Sequence, residues 1–156
     1  MFTPRLQERV PSAAPIVIGK LKGHVLRWDK RSQTDGSGKC DAEITGRARD
    51  SVWGVVFALK AAEKIALDRA EGLGSGYSEK QVDIVVGKAV VKAVTYVATD
   101  KKRSLKPYHW YKAFVVAGAR EHGLPRHYVR RLDATKSIRD RDRARSAQNE
   151  KLLSTC

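Results

Sequence analysis

SVWGVVFALKAAEKIALDRAEGLGSGYSEKQVDIVVGKAVVKAVTYVA, residues 51–98, carries strand and helix signals in one unbroken stretch. Its first part, 51–59, is an apolar run of strand length and predicts a buried central strand. AAEKIALDRAE at 61–71 is Ala-rich and helix-forming, and Gly72 stands where a positive φ would end that helix. Beyond GLGSGY at 72–77, the segments 81–86 (QVDIVV) and 89–98 (AVVKAVTYVA) read as two strands, with Gly87-Lys88 suited to a tight hairpin. Strands gathered around a helix and returning by hairpins favour an α+β architecture over regular βαβ alternation.

The flanks extend the same pattern. IVIGKLKGHVLRW at 16–28 is expected to be extended, QTDGSGK at 33–39 is a surface loop or turn, and Cys40, Ala42 and Ile44 alternate with Asp41 and Glu43 as a half-buried strand does. Downstream, YHWYKAFVVAGAREH at 108–122 reads as a second helix burying Trp110, Phe114, Val115 and Ala117, stopped by Gly123 and Pro125. A further helical turn is expected over 125–132. After Asp133 the chain is rich in charges of both signs and reads as a solvated helix or a frayed tail. The expected division is therefore a domain over 1–132 and a charged appendage over 133–156.

At 156 residues the chain is of single-domain size, with 42% hydrophobic and 31% charged residues, an ordinary globular balance. No apolar run approaches a membrane span, and Pro4, Arg5, Glu8 and Arg9 interrupt any signal-peptide reading of the start. Cys40 and Cys156 cannot build a disulfide framework, so the expected compartment is the cytoplasm. The net charge of +14 is spread evenly: residues 1–50, 51–119 and 120–156 contribute +4, +5 and +5. No basic tail and no recognised nucleic-acid motif accompanies it, so nucleic acid is not the expected partner.

Most apparent motifs fail on spacing. DGSGK at 35–39 lacks the P-loop's first glycine, which would fall at Gln33, and Cys40 replaces the Ser or Thr. Gly72, Gly74 and Gly76 follow a helix, whereas a dinucleotide fingerprint opens one. His24, His109, His122 and His127 have no zinc spacing, neither cysteine has a CxxC partner, and no Gly-x-Ser-x-Gly elbow occurs. One feature survives. Glu71 is expected at the negative end of a helix dipole, where a carboxylate's charge is disfavoured, and the glycines that follow let backbone approach a ligand closely. Read by itself, it is either an exposed glutamate or a catalytic carboxyl.

The segments SVWGVVFAL (51–59), LDRAEGLGSGY (67–77), AVTYVA (93–98) and PYHWYKAFVVAGAREHGLPRHY (107–128) together resemble the gamma-glutamylcyclotransferase family, in order and over about residues 3–132. The resemblance implies a small mixed β-barrel with flanking helices. It also implies a reaction that needs no cofactor and no metal: a gamma-glutamyl substrate's own α-amine attacks its γ-carbonyl, giving 5-oxoproline and a free amino acid. Nucleophile and electrophile share one molecule, so the enzyme's task is to fold the substrate and move protons. By the same resemblance Glu71 is the general acid/base, Tyr77, Tyr96 and Tyr111 shape the substrate pocket, and Gly72 brings backbone to it. Tyr96, on its strand, has core packing as its simpler role.

The family's first strand and its Tyr-Gly-Ser-Asn loop have no counterpart here: Met1 aligns with the methionine that follows that loop. That loop's backbone N–H groups are expected to hold substrate and oxyanion. A different class of function is a non-catalytic basic binding module on the same fold, taking nucleic acid or an acidic partner.

Overall fold

Gly23, at φ +70°, breaks the expected extended run into two strands that belong to different sheets. The computed structural model describes residues 2–154, so Met1 and Cys156 lie outside the described residues. A short helix α1 (Thr3–Gln7) leads into β1 (Ala14–Lys22), β2 (His24–Arg31), β3 (Gly38–Ile44) and β4 (Ser51–Ala58). A 3-10 turn then joins α2 (Lys64–Glu71), followed by β5 (Tyr77–Val86), β6 (Ala89–Ala98), α3 (His109–Glu121), α4 (Arg126–Asp133) and α5 (Arg143–Ser154). No helix among the described residues is long and apolar enough to cross a membrane.

The strands form a four-stranded sheet of order β4-β1-β5-β6 and a two-stranded sheet β2-β3, all pairs antiparallel. The α+β class holds, but the described strands do not close into a barrel. Where β3 and β6 meet, a side chain spans the seam in place of a backbone ladder. Asp41 accepts the Ala98 N–H at 2.8 Å and an ammonium bond from Lys101. The Gly87-Lys88 hairpin forms as expected, with Val86 opposite Ala89 and Gly87 at φ +59°.

Strand β4 is an edge strand and half-buried, not the buried central strand its composition predicts. Its run is apolar because both faces meet apolar surface. Trp53 and Val55 pack on the helices, while Gly54 and Val56 line a cleft of about 760 Å³. The cleft runs past the short β1–β5 pairing, which registers at only two positions, Lys20 with Val85 and Leu21 with Ile84.

The main core lies between this sheet and α3–α4: Val116, Ala119, Leu124, Tyr128 and Leu132 pack against Ile18, Trp53 and Val55. The buried face of α3 is Trp110, Phe114, Val116, Gly118 and Ala119, so Val115 and Ala117, expected inside, are only half-buried. Phe2, Trp110 and Phe114 make a second cluster, against which Leu152 and Leu153 of α5 pack. The segment before α5 is tied down by a buried carboxylate. Asp140 accepts the indole N–H of Trp110 at 2.9 Å and two guanidinium bonds from Arg145 at 2.6 and 2.7 Å. The stretch read as a charged helix or tail is thus helical over Arg143–Ser154 and seated on α3.

Candidate active site

Glu71 is the last residue of α2, and Gly72 caps the helix in the left-handed region at φ +72°. Gly72 N–H bonds Arg69 C=O, and Leu73 N–H reaches back to Asp68 C=O at 2.9 Å, a Schellman closure that turns the chain sharply. The turn continues through Ser75 N–H to Gly72 C=O, and Gly74 N–H bonds the carbonyl of Tyr77. Glu71 and Tyr77 are thereby brought to the wall of one cavity of about 530 Å³. The Glu71 carboxylate stays 30% exposed, with one guanidinium, that of Arg9, at 3.8 Å. A carboxylate so placed is reachable both from the cavity and from solvent.

The two pocket tyrosines are fixed by a single residue of β3. Cys40 sits where the β2–β3 register slips, between the pairs Arg27–Asp41 and Lys30–Lys39. The Tyr77 hydroxyl donates to its carbonyl at 2.8 Å, and its N–H donates to the Tyr111 oxygen at 3.1 Å. Burial pushes both phenols well above their ordinary range, and the Cys40 thiol up to about 12, so all three stay protonated at neutral pH. Tyr111 packs edge-on to Trp28 and Trp110, which orients its ring from two sides. These tyrosines are rigid walls, not bases.

Glu71, Gly72, Tyr77 and Tyr111 all line this cavity; Tyr96 does not. It lies in the apolar cleft on the other side of α2, where its hydroxyl donates to Asp68 at 2.5 Å. Lys64 bonds Asp68 and Glu79, so Tyr96 belongs to the network that anchors α2 to the β5–β6 hairpin. Its contact with the site runs through the helix that ends in Glu71.

The loop 33–39 is not merely surface: Asp35 and Lys39 line the cavity, and Ser37 is 3% exposed. Asp35 accepts from Ser37 N–H, Ser37 hydroxyl and Lys39 ammonium at 2.7–2.9 Å, which fixes the loop's shape. The Lys39 ammonium lies 4.6 Å from the ring centroids of both Trp110 and Tyr111. Lys30 of β2 and Arg5 of α1 also reach the cavity. None of these cations was readable as a site residue, since they converge only through tertiary packing. The one local signal was DGSGK, whose glycine-rich turn ends in Lys39.

Residues 51–132 match the model of the AIG2-like family. Gamma-glutamylcyclotransferase of Homo sapiens is 33% identical over 141 residues, covering 86% of this chain and 73% of the relative, and that of Bos taurus is 30% identical over the same shares. A solved gamma-glutamyl cyclotransferase superimposes with TM-score 0.88 at 27% identity, over 99% of this chain and 93% of its own. The human protein loc79017 superimposes with TM-score 0.84 at 26% identity, over 98% of this chain and 92% of its own. Agreement of this extent in sequence and in backbone leaves the reading of a non-catalytic basic module unfavoured. The chain belongs to the gamma-glutamylcyclotransferase family.

Proposed function

We propose that this chain converts gamma-glutamyl amino acids into 5-oxoproline and a free amino acid. The observation that carries the reading is Glu71 at the mouth of a tight turn, facing a cavity whose other walls are held fixed. The substrate folds so that its α-amine nitrogen meets its γ-carbonyl carbon. The new N–C bond closes the five-membered lactam as the amide C–N bond breaks. Glu71 accepts the proton that the attacking amine sheds and returns it to the departing nitrogen, so protons balance without a further reagent. Tyr77 and Tyr111 confine the folded conformer, and restricting freedom in this way lowers the barrier for an intramolecular attack.

The test is product identity with gamma-glutamyl-alanine as substrate. Cyclisation gives 5-oxoproline and alanine in equal amounts, whereas hydrolysis gives glutamate and alanine; glutamate as the product would refute the reading.

A further inference from the structure

Two cations that are buried or half-buried in the cavity wall have no carboxylate partner among the described residues. Lys30 is only 7% exposed, yet among the described residues its ammonium makes no hydrogen bond or ion pair and lies 4.7 Å from the Tyr77 ring centroid. It packs closely over Gly76, where a Cβ would stand 3.3 Å from the Lys30 nitrogen. The Arg5 guanidinium is half-buried, 4.3 Å from the Phe114 centroid and 5.6 Å from that of Trp110. Its hydrogen bond goes to the neutral Asn149 amide oxygen at 2.8 Å, and no described carboxylate stands within ion-pair reach. The other half-buried cations of the cavity differ, since Lys39 is bonded to Asp35 and Arg145 to Asp140. Burial lowers the pKa of both Lys30 and Arg5, the mark of charges taken out of water with incomplete compensation. An arriving anion offsets that cost.

The two cations sit in different surroundings. Lys30 lies beside the Gly76–Tyr77 turn, and Glu71 is the foremost acidic influence on it. Arg5 lies among Phe2, Leu6 and Phe114, where an apolar wall leaves room for side chains of different size. Resting on the cyclotransferase reading, we propose that Lys30 binds the α-carboxylate of the gamma-glutamyl group and Arg5 binds the carboxylate of the departing amino acid. Arg5 then sets specificity: it favours substrates with two carboxylates and disfavours gamma-glutamyl amines, which have one.

The test is calorimetric titration of the Glu71→Gln protein, which holds ligand without turnover, with gamma-glutamyl-alanine and with gamma-glutamyl-ethylamine. The expected preference for the first is about 10- to 100-fold, the range of a hydrogen bond to a charged group. Adding Arg5→Met abolishes the preference by weakening only the dipeptide, Arg5→Lys keeps part of it, and Lys30→Met weakens both ligands by a similar factor. Thermal melts of each variant check the fold, and the ratio between ligands is a quantity that a general loss of packing does not move. Equal affinity of the parent for both ligands, or an Arg5→Met loss shared equally, overturns the assignment and leaves the cyclotransferase reading standing. Failure of the parent to bind either ligand overturns both.

Discussion

Cys40 shows how a residue without chemistry of its own can set a site. Its N–H and C=O hold the hydroxyls of Tyr111 and Tyr77, so each phenol-to-benzene change strands one backbone group in a buried setting. Tyr111→Phe and Tyr77→Phe are each expected to lower stability by about 1–3 kcal/mol, read from denaturant midpoints at unchanged slope. A change below a few tenths of a kcal/mol in both would mean that the hydroxyls are not held as described. At this scale Glu71 was legible in the sequence because its neighbours are local: Gly72 caps the helix and the following glycines make the turn. Tyr111, at its place in α3, was legible only through resemblance, since no pattern within α3 distinguishes a cavity-facing tyrosine from a core one. Tyr96 was grouped with the site on the same basis, and its strand carries it to the opposite side of α2.

Among the elements, α5 is the one whose docking the sequence leaves open. A helix with so many exposed charges carries little apolar stripe, and what seats it is Asp140, together with Leu152 and Leu153. Arg145 holds the Asp140 carboxyl down at about 2, below the ordinary carboxylate value of ~3.9. A depressed value means the carboxylate contributes stability above about pH 4 and loses that contribution as pH falls toward 2. Asp140→Asn is therefore expected to cost about 2 kcal/mol at neutral pH, and the gap between parent and variant should close between pH 4 and pH 2 in thermal melts. A gap that stays constant on acidification would contradict the pair. The same seating places Asn149 against Arg5, so the variant also loosens the cavity rim. Strand β3 begins at another constrained point: a Cβ on Gly38 would lie 2.1 Å from the Trp28 carbonyl oxygen. Gly38→Ala should cost about 1–3 kcal/mol, and a neutral result by the same melts would mean the strands separate at no cost. Hairpin, helix cap and the main helices followed from local rules. The edge position of β4 and the break at Gly23 did not, because strand order depends on contacts distant in sequence.

For the whole molecule, a net charge of +14 distributed along the chain leaves a broadly basic surface without a basic tail. Binding to duplex DNA is expected to be weak, without sequence preference, and to collapse with added salt in a fluorescence titration. Selective binding tighter than micromolar at physiological salt would give the charge a role that the cavity does not need. The cavity itself is a product of the entire fold: α1 and α5 bring Arg5 and Asn149, β2 and the loop before β3 bring Lys30 and Asp35, α3 brings Tyr111, and α2 delivers Glu71. The most direct test of the account is 5-oxoproline release by Glu71→Gln against its parent. Glutamine keeps the size and the polar contacts but cannot shuttle a proton, so release should fall by at least ~10²-fold while the melting curve is unchanged. Turnover within a few-fold of the parent would remove Glu71 from the mechanism.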